Sequence, residues 1–163
     1  MPPKPKLNVH SFPRPPLLER TPRHLQIKWD GVVVADTKDA YWVLETTHPP
    51  TYYLPRASLS PSVTLTAIPN KTSYCEWKGQ ATYHTLTHPQ GQTTVANKIW
   101  SYEAPTPPFR PIAGYLSFYA SAVPWECFVD GERVQPQEGD FYGGWVTAEL
   151  EGRMKGGPGT WGW

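Results

Sequence analysis

Polar and apolar positions alternate in short runs along this chain, and proline, glycine or asparagine ends a run at intervals of roughly ten residues. A period of two puts successive side chains on opposite faces of an extended backbone, so the pattern predicts strands rather than helices. Residues 23–29 alternate, Asp30 and Gly31 supply a tight turn, and residues 32–36 continue beyond it as the clearest hairpin in the sequence. A third short strand is predicted over 41–45, closed by Pro49 and Pro50 because proline cannot extend a ladder, and a fourth over 52–55. Residues 63–68 and 72–77 read as two strands broken at Pro69-Asn70-Lys71, with Lys78 and Gly79 ending the second. Residues 81–87 and 93–97 flank a glycine-containing loop of hairpin length and predict another antiparallel pair. Residues 113–119 fit both periods and are taken as strand. Residues 126–134 echo the first hairpin, with Asp130-Gly131 at the turn, as chance or an internal duplication would produce.

The expected fold is all-β: a compact single domain of short antiparallel strands in two packed sheets or a partly open barrel, with little helix. Residues 1–22 are proline-rich and read as an extended N-terminal arm, leaving 23–163 as the single β domain. Glycine and tryptophan dominate the end of the chain. Trp161 and Trp163 make full exposure of that tail costly, so it is expected to dock on the domain.

With 163 residues, one hydrophobic core is the expectation. A net charge of +1, from 15 Lys+Arg against 14 Asp+Glu, gives no field to gather nucleic acid, and no nucleic-acid partner is expected. Cys75 and Cys127 are too few for a disulfide framework or a cysteine zinc site, and no Cys, His and acid cluster has ligand spacing, so neither metal nor cofactor is expected. The basic start has no apolar run behind it, and no stretch approaches a membrane span; the expected location is cytoplasmic, without a membrane partner. The oligomeric state is open, a homodimer included. What stands out is 8 Trp and 9 Tyr in a chain that is 39% hydrophobic, since these rings serve either as core or as pocket walls with one wet end.

Three ordered segments resemble a known family: Glu45-Thr46-Thr47-His48-Pro49-Pro50-Thr51-Tyr52-Tyr53-Leu54-Pro55, Cys75-Glu76-Trp77-Lys78-Gly79-Gln80-Ala81-Thr82-Tyr83, and Trp100-Ser101-Tyr102-Glu103-Ala104-Pro105. They are similar, in order and spacing, to the signature of the domain-of-unknown-function 427 family, over about residues 12–119. The closing segments, Asp130-Gly131-Glu132 and residues 140–163, are similar to the longer, Gly/Trp-tailed members. Glu76 departs from the pattern, standing where some members have proline. The family also carries a nucleotidyltransferase-like label, yet this chain lacks a Gly-rich loop joined to paired metal-holding aspartates. The resemblance implies a compact β fold akin to tent-like two-sheet folds, and no settled activity.

The candidate chemistry lies in those segments. Glu45 closes a strand ahead of a double-proline loop, a rigid place from which a carboxylate projects as acid/base or pairs with a cation. Cys75 shares a strand face with Trp77, and Lys78 alternates to the other unless the chain bends at Lys78-Gly79; a lysine beside the thiol would make Cys75 a nucleophile, whereas burial would make it inert. Glu45 and Cys75 are thus the catalytic candidates, and Tyr53, Trp77, Lys78, Trp100, Tyr102 and Tyr142 the candidate ligand walls. His48 and His84 are candidate bases, His48 being equally suited to holding its loop through a backbone hydrogen bond, whereas His10, His24 and His88 are read as solvent groups. Gly143-Gly144 and Lys155-Gly156-Gly157 suit either a sharp turn or the approach of a ligand phosphate. The reading that results is a small-molecule-binding protein with an aromatic pocket, serving as an enzyme if Glu45 acts as acid/base. Its alternative is an interaction or structural module using the proline-rich arm and tryptophan tail.

Overall fold

Asp30 and Gly31 both adopt left-handed backbone angles, with φ of 49° and 77°, and Asp130 and Gly131 repeat this at 49° and 83°. Positive φ at both central residues gives the turn whose twist matches that of paired strands, which is why Asp-Gly between alternating runs closes a two-residue hairpin. The computed structural model describes residues 4–90, 93–139, 142–160 and 162–163. It is 47% strand and 8% helix, the helix all 3-10, so the chain is all-β as its alternation predicts.

Along the chain the strands are β1 Leu7–Asn8, β2 Leu17–Arg20, β3 Leu25–Trp29, β4 Val32–Thr37, β5 Tyr41–Leu44, β6 Thr51–Tyr53, β7 Thr64–Cys75, β8 Gly79–Thr87, β9 Thr94–Ser101, β10 Leu116–Phe118, β11 Trp125–Val129, β12 Glu132–Arg133, β13 Gln135–Pro136, β14 Trp145–Val146 and β15 Leu150–Glu151. The two Asp-Gly hairpins join in one sheet of order β12-β11-β3-β4, with β11 antiparallel to β3. Trp125 faces Trp29 across that seam, ring centroids 5.7 Å apart. Leu25, Ile27, Val34 and Val129 are buried with them in the larger core, each aliphatic side chain contributing about 1.5–3 kcal/mol through burial.

A second sheet runs β10-β9-β8-β7 and a third β2-β5-β6. Leu54 and Leu116 exchange two backbone hydrogen bonds, of 2.7 and 2.8 Å, so the edge after β6 meets β10 and the third sheet leads into the second. A smaller buried cluster, including Val43, Tyr53, Trp100, Tyr102 and Phe109, fills the angle there.

Some segments differ from their sequence reading. Residues 63–68 and 72–77 are not two strands: β7 passes through Pro69 with a register shift between Ala67 and Thr72, Asn70 taking φ 60°. Because β7 is an edge strand, the missing proline N–H removes no ladder bond, and residues 68–71, opposed on β8 by Tyr83 alone, are accommodated as a large bulge. The arm is extended, yet β2 pairs with β5, β1 with β15, and Val9 is fully buried. His88 is not a solvent group: it is buried, its Nδ1 accepting from the Gln90 N–H at 2.9 Å and its Nε2 donating to Trp29 O at 3.1 Å, and it lies edge-on to the Trp29 ring. At the tail, the Trp163 ring meets His10 edge-on at 5.6 Å and lies under the Arg153 guanidinium at 5.3 Å. Trp161 lies outside the described residues.

Candidate functional site

Cys75 and Gly79 pair across the end of the β7–β8 hairpin, leaving Glu76-Trp77-Lys78 as a three-residue turn. Strand alternation would send Lys78 away from Cys75; the turn instead brings its Nζ to 3.7 Å from Cys75 Sγ. The chain thus bends one residue earlier than its glycine suggests. The turn is held from outside: Thr106 donates its backbone N–H to Lys78 O at 3.0 Å and its hydroxyl to Trp77 O at 2.6 Å. Lys78 is only 9% exposed, its ammonium 5.8 Å from the Tyr102 ring centre and 5.9 Å from that of Phe109.

Glu45 follows directly on β5, its carboxylate 3.5 Å from Arg14 and 4.0 Å from His48 Nδ1. His48 Nδ1 lies 2.9 Å from the Thr46 carbonyl, which can only accept, so Nδ1 carries the proton and Nε2 is left as the basic nitrogen. Burial pushes the His48 pKa below the ordinary histidine value; Glu45 opposes this, while Lys155 and Arg14 reinforce it. Both expected roles of His48 therefore coincide, since it pins its loop and also borders the cleft. Its ring meets Tyr142 edge-on at 5.4 Å, and Lys155 Nζ stands 5.3 Å from the centre of the Tyr142 ring.

These two groups border one cleft of about 340 Å³. Glu45, His48, Thr51 and Tyr53 come from the third sheet and its loop, and Ser73, Cys75, Trp77, Lys78, Tyr83, Trp100 and Tyr102 from the second. Gln137, Tyr142, Gly143 and Lys155 close it from the C-terminal region. Tyr53 is hydrogen-bonded to Trp100 and Tyr102, and burial raises its phenol pKa so that it stays protonated. Burial does the same to Tyr119, pushing it up to about 12; its ring lies 4.7 Å from that of Trp100. Ser73 and Tyr83 share a 2.8 Å hydrogen bond between their hydroxyls.

Gly143-Gly144 is a site of close packing rather than a phosphate cradle. A Cβ on Gly143 would lie 2.2 Å from Cη2 of Trp100, and one on Gly144 2.5 Å from Cγ of Pro49. The Gly144 N–H already donates to Gln137 Oε1 at 3.2 Å.

All eight residues singled out in the sequence, Glu45, Cys75, Tyr53, Trp77, Lys78, Trp100, Tyr102 and Tyr142, border this cleft. His84 does not: it is buried in β8 with Nε2 2.8 Å from Ser101 Oγ, and burial lowers its pKa. Tyr83, Tyr119 and Gln137 are not among the residues the sequence singles out, and Lys155 enters there only as part of a glycine cluster. Tyr83 was legible in principle, two residues from buried Ala81 on the same face of β8. Lys155 carries no local signal, because it arrives through a hydrogen bond of its backbone N–H to Thr47 O, at 2.8 Å.

The fold and cleft define an all-β protein whose second and third sheets meet at an aromatic hollow carrying a carboxylate, an imidazole, a thiol and a buried ammonium. The chain belongs to the family described as a domain of unknown function, DUF427, whose model matches residues 17–134. The match begins at β2 and ends beyond β12, taking in the second Asp-Gly hairpin and leaving out the segment that supplies Gln137, Tyr142, Gly143 and Lys155. The family's model also bears a nucleotidyltransferase-like label. No curated protein matches the chain. Among the described residues no group of three or more His, Cys, Asp or Glu is placed to hold a metal ion, and no helix is long and apolar enough to cross a membrane.

Proposed function

We propose that the protein binds a small organic molecule in the cleft between its second and third sheets. The observation that carries this reading is the convergence of Trp77, Trp100 and Tyr102 with Glu45, Cys75 and Lys78 around one hollow, although these residues come from separate stretches of the chain. A few polar groups set among aromatic walls is the composition of a ligand pocket, and about 340 Å³ lies at the small end of the range for such sites. The proline-rich arm and the tail make contacts within the chain, through the β2–β5 pairing and the Trp163–His10 contact, which favours the pocket over an interaction module built on those ends.

Catalysis is the second element of the proposal. Glu45 and the basic Nε2 of a neutral His48 form the acid/base candidate of the cleft, and Cys75 beside Lys78 the nucleophilic one. A screen of small aromatic compounds, read by slower alkylation of Cys75 by iodoacetamide, tests the binding reading. Compounds that protect Cys75 while leaving the alkylation of a free thiol unchanged are expected. A diverse screen in which none protects it would overturn the proposal.

A further inference from the structure

Lys78 is the most buried charged side chain bordering the cleft. It is 9% exposed, and among the described residues no carboxylate lies within 4.0 Å of its Nζ. Its neighbours are the Cys75 sulfur and two aromatic faces. An ammonium on a side chain this buried, with the cleft as its opening to solvent, is stabilised when an anion meets it there. Glu45 cannot serve, being engaged by Arg14 and His48, and Glu76 on the same turn is exposed.

Resting on the pocket reading above, we infer that the ligand is a small aromatic carboxylate whose anionic group seats on Lys78 Nζ and whose ring lies among Trp77, Trp100 and Tyr102. At Lys78 one ammonium matches one negative charge; the cleft's other ammonium, Lys155, stands against the Tyr142 ring. A phosphate dianion would call for more donors, and of the two amides of the glycine pair that of Gly144 is already taken by Gln137. Thr106 holds the Lys78 backbone, and Cys75 Sγ with the Tyr102 and Phe109 rings holds its ammonium, so the charge is positioned before a ligand arrives. The ammonium has three N–H donors, and its contact with Cys75 Sγ leaves others for a carboxylate.

Calorimetric or NMR titration of the full chain with matched probes tests this: benzoate and indole-3-acetate, their neutral primary amides, and inorganic phosphate. The carboxylates are expected to bind at least about tenfold more tightly than the amides, as a charge-assisted hydrogen bond provides. In Lys78→Met that preference should vanish while amide binding persists, and Lys78→Arg should keep it. Amides binding as well as carboxylates in the wild-type chain would overturn the inference and leave the pocket reading standing. Phosphate outcompeting both carboxylates would also overturn it, in favour of a phosphorylated ligand. If no aromatic probe of either kind binds, the pocket reading falls with it. The wild-type comparison does not depend on the variants folding.

Discussion

Lys78 Nζ stands 3.7 Å from Cys75 Sγ, across a three-residue turn that reverses the alternation of strand β7. This separates the chain's two cysteines. Cys75 is partly exposed on the cleft, whereas Cys127 is 3% exposed and burial drives its thiol pKa up. Brief treatment of the native protein with iodoacetamide should therefore modify one thiol, at Cys75, with Cys127 reacting only on unfolding. Peptide mass spectrometry reads this directly, and early modification of Cys127 would contradict the packing of β11.

Gly143 is predicted to tolerate no side chain. An added methyl would meet the Trp100 ring at 2.2 Å, and shifting that ring would disturb the cleft wall and its contacts with Tyr53 and Tyr119. Gly143→Ala should cost about 1–3 kcal/mol in denaturant unfolding, the usual penalty of overpacking. Gly162, with open space around its Cβ position, is the control and should accept alanine without loss.

The contrast between these positions marks what the sequence made legible. Asp30-Gly31 and Asp130-Gly131 announced their hairpins because the turn chemistry is local. Glu45, Cys75, Trp77 and Trp100 were found in segments carrying the family resemblance, and the Leu54–Leu116 bridge shows why residues so far apart can share a hollow. The Gly143–Trp100 contact and the arrival of Lys155 depend on where the C-terminal region docks, which no local pattern specifies. The burial of His88 under Trp29 was missed for a similar reason, since a histidine beside a proline and a glycine-containing loop reads as solvent-facing until the facing sheet is known.

Glu45→Gln should change stability little. Its side chain is 20% exposed and its partner Arg14 is 42% exposed, so the pair is well screened and worth under about 1 kcal/mol. Neutralising Glu45 removes the group that opposes the lowering of the His48 pKa, so that pKa should fall further. NMR titration of His48 in the variant checks this; an unchanged midpoint would mean the two side chains do not interact.

Stability should decline as the pH drops below about 6.5, the ordinary histidine value. Burial holds both His48 and His84 below that value in the folded state, so the unfolded chain takes up protons first. The stability these residues contribute is full above about 6.5 and is lost as the pH falls from there toward their folded values. Melting temperatures at pH 7.5 and 5.5 test the sign, the lower being expected at 5.5. His48→Gln should flatten part of the slope.

The aromatic hollow between the second and third sheets is the proposed ligand site. Indole N–H resonances test it most directly, because tryptophans lie both on the cleft, at Trp77 and Trp100, and in the separate core, at Trp29 and Trp125. Titration of the ¹⁵N-labelled chain with a small aromatic carboxylate should shift the Trp77 and Trp100 indole signals in a saturable way and leave those of Trp29 and Trp125 in place. Saturable shifts confined to Trp29 and Trp125, or no shift in any indole across a diverse set of small aromatics, would contradict the account.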